Sequence, residues 1–175
     1  MAIKKTQRGF ALLIAVIFMS VMLALGLALG SLGYKQETLA SSAVESQYAF
    51  YAADAGLECA LYADQCDSSN PKLLNCPANL FSNPPAGASL VCGGRNFSIS
   101  TSSPSSGELI STAWISLDGD SPYAPRCAEV TVYKYSTPQT NNVTTYIFSQ
   151  GYDVSCPTVQ GSGARFVSRG ESTTY

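Results

Sequence analysis

The stretch FALLIAVIFMSVMLALGLALGSL, Phe10 to Leu32, is 23 residues without a charge, and as a helix it spans roughly 35 Å. A hydrocarbon core about 30 Å thick is crossed by that length. Lys4, Lys5 and Arg8 precede it, with no acid among the first nine residues. By the positive-inside rule its N-terminus lies in the cytoplasm and the rest of the chain outside. One alternative is a cleaved secretory signal, with Ala28 to Gly30 as a small-x-small site. Such apolar regions run to only about 7–15 residues, and no cysteine follows this one closely enough to accept a lipid. A second alternative is a plain, uncleaved single-pass anchor.

Beyond the apolar run, ETLASSAVESQYAFYAADAGLECALYAD (Glu37 to Asp64) contains no Pro and one Gly. Leu39, Ala43, Ser46, Phe50, Ala53, Leu57 and Ala60 recur at spacings of four and three, a helical stripe. Glu37, Ser41, Glu45, Tyr48 and Glu58 fall off the stripe, toward solvent or neighbours. The simplest structure is one helix from Phe10 to near Asp64, its second half packed on a sheet. Gly26 and Gly30 form a G-x-x-x-G that suits close helix packing. With Gly33, they are also places where the helix can stretch, since each Gly costs roughly 1 kcal/mol relative to Ala.

From Cys66 to Pro104, clusters of Asp, Ser, Asn, Pro and Gly separate short apolar pieces, so this region reads as loop-rich. Strands are predicted at Asn96 to Thr101, Leu109 to Leu117, Ala128 to Tyr135, Thr144 to Gln150 and Ala164 to Arg169. In AEVTVYKY, Val130 and Val132 share one face while Glu129, Thr131 and Tyr133 share the other. The sum is an α+β chain, with a long N-terminal helix on about four or five antiparallel strands.

All six cysteines lie in the later two-thirds of the chain, with no C-x-x-C pair and no His. Zinc is therefore disfavoured, and disulfides in an oxidising compartment are expected. Six cysteines allow 15 pairings; Cys59 with Cys92, Cys66 with Cys76 and Cys127 with Cys156 are favoured. No metal and no cofactor are expected. Asp118 and Asp120 in LDGDSPYAP read as a solvated turn rather than a calcium loop, and the sequons at Asn96 and Asn142 as chance matches. Tyr133, Tyr135, Tyr146, Tyr152 and Tyr175 fit strand and core packing at least as well as a binding face.

The formal net charge of -2, from 10 basic and 12 acidic residues, leaves no footprint for nucleic acid. Without His, the commonest base for a nucleophilic Ser or Cys is missing. G-x-S-x-G, phosphate-loop and dinucleotide motifs do not occur, so no enzyme is expected.

KKTQRGFALLIAV, Lys4 to Val16, resembles the class III signal of type IV prepilins: a short basic leader ending in Gly, then an aromatic residue and the apolar helix without a gap. AFYAADAGLECALY, Ala49 to Tyr62, is similar to the helix of PilX-type minor pilins. Together they cover about the first 65 residues. The resemblance implies the type IV pilin fold. It implies cleavage of residues 1–9 by a prepilin peptidase, with Gly9 before the cut and Phe10 as the methylated new N-terminus. It implies a transmembrane and assembly helix over 10–33 carrying Phe10, Ile14, Gly26 and Gly30, an amphipathic continuation over 34–65, and a disulfide-bonded outer domain over 66–175. The implied partners are membrane lipid before assembly, an inner-membrane assembly platform, and the major pilin with other minor pilins. Ile14 departs from the glutamate that major pilins usually carry five residues into the mature chain, a departure shared by some PilX-type minor pilins and the large minor pseudopilin of type II secretion. The reading is a low-copy, tip-located minor pilin or pseudopilin; its rival is a membrane-tethered binding module that never enters a fibre.

On this reading Gly9→Val blocks processing, because the peptidase site needs a small residue before Phe10. Unprocessed protein should then accumulate in the membrane, where intact mass or gel mobility detects it. Normal-sized mature protein from the variant would refute the prepilin assignment.

Overall fold

The computed structural model describes residues 8–66, 80–82, 87–117, 126–136, 143–161 and 163–175. Helix α1, Arg8–Gln65, is 58 residues long. It starts two residues before the expected Phe10, so that Gly9 lies within it. The chain divides into two compact units, the first ending at Ala43 and the second running from Val44 to Tyr175.

In the first unit every described side chain from Phe10 to Ala43 is exposed. Its apolar window has a mean hydropathy of 2.8 with none of it buried, which makes α1 long and apolar enough to span a membrane. Two serine hydroxyls in this stretch are satisfied by the helix itself: Ser20 Oγ donates to the Ile17 carbonyl (2.8 Å) and Ser31 Oγ to that of Ala28 (2.9 Å). Such back-bonding is what a polar side chain needs where water is scarce.

The second unit sets the end of α1 against a six-stranded antiparallel sheet. Its strands are β1 (Ser89–Cys92), β2 (Arg95–Ser102), β3 (Glu108–Ser116), β4 (Cys127–Ser136), β5 (Val143–Tyr152) and β6 (Ser168–Thr174). They lie side by side in chain order. The β1–β2 turn needs two residues at positive φ to follow the strand twist, and Gly93 (φ 55°) and Gly94 (φ 78°) supply them. A short helix α2, Cys156–Gln160, leads into β6.

Period-two alternation puts Ala113, Ile115, Ala128, Val130, Val132 and Ile147 on one sheet face, all essentially inaccessible. Full burial of each Val or Ile contributes about 1.5–3 kcal/mol relative to exposure. They share a core with Ala60 and Ala63 of α1 and with Leu80, Phe81 and Leu90. The expected split of AEVTVYKY holds, with Val130 and Val132 buried and Glu129, Thr131 and Tyr133 half-buried on the other face.

The helical stripe differs from the expected one. Ala49, Ala52, Ala53, Gly56, Ala60 and Ala63 are buried, while Leu39 and Phe50 are exposed and Leu57 is only half-buried. The reason is distance: the helix backbone comes too near the sheet for large side chains. A Cβ at Gly56 would meet Ser149 Oγ at 2.6 Å and the Ala128 Cβ at 2.8 Å, and one at Gly151 would run into the Ala49 carbonyl and the Ala53 amide.

Two strand assignments change as well. β1 lies inside the stretch read as loop, its four residues too few to show alternation. The last strand is Ser168–Thr174 rather than Ala164 to Arg169. SRGESTT has no apolar alternation because it is an edge strand, fixed by main-chain pairing with β5 from Tyr146 to Tyr152. Phe166 lies outside the strand and packs edge-on against Tyr152 at 5.4 Å.

Gly151→Ala is expected to cost about 1–3 kcal/mol through overpacking, and Gly151→Val more. Thermal or urea unfolding of the detergent-solubilised chain checks this; an unchanged midpoint would mean that α1 does not sit as close to β5 as described.

Candidate functional site

Phe10, Ile14, Gly26 and Gly30 all lie in the first unit of α1. Phe10 is 69% and Ile14 48% exposed, and nothing lies within 4 Å of a Cβ built at Gly26 or Gly30. They form part of a long apolar surface that is exposed among the described residues. Apolar surface on that scale is a site for lipid or for other helices.

In the second unit two disulfides hold the folded part together. Cys59–Cys92 (Cα separation 5.9 Å) ties α1 to β1, and Cys127–Cys156 (4.9 Å) ties β4 to α2. Both are among the pairs favoured from the sequence. The pairing of Cys66 with Cys76 lies outside the described residues, as do Asp118, Asp120 and Asn142; Asn96 is exposed on β2.

Three polar clamps fix α1 on the sheet. Near its end, Lys134 of β4 contacts both Asp64 oxygens (2.7 and 2.9 Å) and Thr145 Oγ1 (3.3 Å), and Tyr175 OH donates to Asp64 at 2.5 Å. Asp64 and Lys134 are only 5% and 11% exposed. A pair that deep needs such extra hydrogen bonds to offset desolvation. Burial and the Asp64 carboxylate both push the Tyr175 phenol upward. Nearer Ala43, the Arg126 guanidinium stacks 4.1 Å over the Tyr48 ring, and Arg169 Nε donates to Ser46 Oγ (2.7 Å). None of these clamps is visible in the sequence, because each joins residues at least 70 positions apart.

On the sheet face away from α1, the Trp114 and Tyr152 rings stack at 6.1 Å, and Cys127, Tyr152 and Cys156 form a second small core there. Burial and then Glu129, which accepts a 3.3 Å hydrogen bond from Tyr152 OH, push that phenol up to about 12. Tyr133 and Tyr146 lie 5.8 Å apart on the same face. Beside the Cys59–Cys92 bridge an open cleft of about 560 Å³ is lined by Glu58, Tyr62, Arg95 and Leu117 among others. Among the described residues no three His, Cys, Asp or Glu side chains gather as metal ligands would.

Asp54 of α1 faces Glu171 of β6. Partial desolvation first, then the Asp54 charge, hold the Glu171 carboxyl above its ordinary range. A carboxyl raised in the folded state favours folding while it is protonated, and that contribution is lost as pH rises through the raised pKa. Glu171→Gln should therefore raise the melting temperature slightly at pH 7, with the gain shrinking toward pH 4. A gain that grew on acidification would contradict the repulsive contact.

No family model matches the chain, and neither a curated protein nor a solved structure does.

Proposed function

We propose that this chain is a structural subunit of a type IV pilus or a type II secretion-like filament: a minor pilin or pseudopilin that assembles through its N-terminal helix. The observation that carries the reading is the division of labour along α1. One uninterrupted helix is wholly exposed and apolar over its first part and packs on an antiparallel sheet over its last. A lone membrane anchor has no need of a helix that continues without a break into its folded domain, whereas a subunit that must leave lipid and pack among like helices does.

In this proposal the cytoplasmic peptidase removes residues 1–9 and Phe10 becomes the methylated N-terminus. The helix waits in the cytoplasmic membrane, N-terminus inside, until the assembly platform passes it to a fibre of major pilin and other minor pilins. The role is structural rather than catalytic. Ile14 favours few copies at or near the tip. The new amine of an incoming subunit is buried among apolar helices, where an unpaired charge is costly, and a subunit with Ile at this position brings no carboxylate to offset it.

Intact mass of the protein from native membranes tests the reading directly. Loss of residues 1–9 with gain of one methyl group is the expected result, together with recovery at a few per cent or less of the major subunit in sheared fibres. A full-length, unmethylated chain would instead mark a tethered binding module.

A further inference from the structure

Past Ala43, α1 carries a second stripe besides the one that packs on the sheet. Val44, Tyr48, Tyr51, Ala55, Glu58 and Tyr62 follow at alternating spacings of four and three, and all six are exposed. An average spacing of 3.5 is that of a seam which meets another helix along its length. The aromatics on it are large and open, with Tyr51 61% and Tyr62 54% exposed. Phe50, 44% exposed, widens the patch beside Tyr51, their ring centroids 5.9 Å apart.

The charges that the helix itself contributes along this surface have one sign. Between Val44 and Gln65 the helix has Glu45, Asp54, Glu58 and Asp64 and no Lys or Arg. Asp64 is neutralised by Lys134. Asp54 instead meets another carboxylate, Glu171. Two bases come from outside the helix: Arg126 stacks on Tyr48 within the seam, and Arg95 lines the cleft beside Glu58. A second copy of α1 laid along the seam in parallel would set acids against acids, since its own segment has no base to offer.

We infer that this seam docks a different chain: an amphipathic helix with apolar residues at heptad spacing, flanked by Lys or Arg that reach Asp54, Glu58 and Glu171. The inference rests on the reading of α1 as an assembly helix and adds to it the chemistry of the neighbour. Aromatic faces supply the buried area, and opposite charge selects the partner and disfavours self-pairing.

The test uses the protein as it is taken from native membranes into phosphatidylcholine nanodiscs, whose neutral lipid does not itself attract charged peptides. The probes are two labelled designed helices with Leu at a and d, one with Lys and the other with Glu at e and g, followed by fluorescence anisotropy. The Lys helix should bind at least about 10-fold more tightly than the Glu helix, with the difference shrinking as salt is raised. The double variant Asp54→Lys, Glu58→Lys should reverse the preference, and Tyr51→Ala with Tyr62→Ala should weaken both helices by about 10-fold. Tyr51, Glu58 and Tyr62 are exposed and Asp54 is half-buried, and near-UV circular dichroism verifies that the variants keep the native fold. Equal binding of the two helices, a preference that survives the charge exchange, or dimerisation of the wild-type chain would overturn the inference. Intact mass of the same preparations separates this from the filament reading. A cleaved, methylated chain with no preference removes the docking seam alone, whereas an uncleaved chain that shows it removes the filament alone.

Discussion

The rest of the fold depends on how closely α1 approaches β5. Where Gly151 meets Ala49 and Ala53, and Gly56 meets Ser149 and Ala128, two backbones come together with nothing larger than a methyl or hydroxyl between them. That closeness dictates the composition of the buried helix face, which is Ala and Gly throughout. It leaves the large apolar volume to the sheet, through Val130, Val132, Ile115 and Ile147, and to Leu80, Phe81 and Leu90 at the margin. It also explains why the clamps sit to either side of the crossing: between the backbones there is no space for Lys134, Arg126 or Arg169.

A helix side that packs through small residues pushes its aromatics elsewhere. Phe50, Tyr51 and Tyr62 are displaced to the side away from the sheet or to its flank, so the tight crossing and the proposed partner seam are two results of one arrangement. The apolar length before Ala43 presents a similar situation, with large side chains all round and exposed among the described residues. In the proposed filament both are resolved by neighbouring helices. In a bare tethered domain the first would be met by lipid and the second left wet.

Much of this was legible in the sequence, because it follows from periodicity and from charge. The uncharged run from Phe10 to Leu32, the unbroken helix to near Asp64 and the alternation around Val130 each leave a local pattern. The failures share a cause too. The stripe read from spacings of four and three holds at Ala53 and Ala60, but at Leu39, Phe50 and Leu57 it was overridden by a backbone distance that only the partner strand reveals. β1 was too short to show a period, and β6, a polar edge strand, is set by its pairing partner and not by its own side chains. Two disulfide pairs could be favoured from the elements expected to carry their cysteines, but the Asp64–Lys134–Tyr175 cluster and the Asp54–Glu171 contact could not. Those depend on register, which no single segment encodes.

The sheet is a meander in chain order, so each strand finds its neighbour as soon as the next one is made, and such local pairings form fast. α1 is the exception. It is the first element synthesised, yet the glycine that lets it seat, Gly151, arrives near the end of the chain. Throughout that delay Ala49, Ala52 and Ala53 lack the strand they seat against. The Cys59–Cys92 bridge shortens the wait at one end, because it links α1 to the first strand and needs nothing from β3 onward. A chain halted before β5 would carry an oxidised bridge and a paired hairpin, with its helix still searching. Maturation of the domain is therefore gated by its last third, and nascent chains are most open to proteases and to mispairing while that third is still being made.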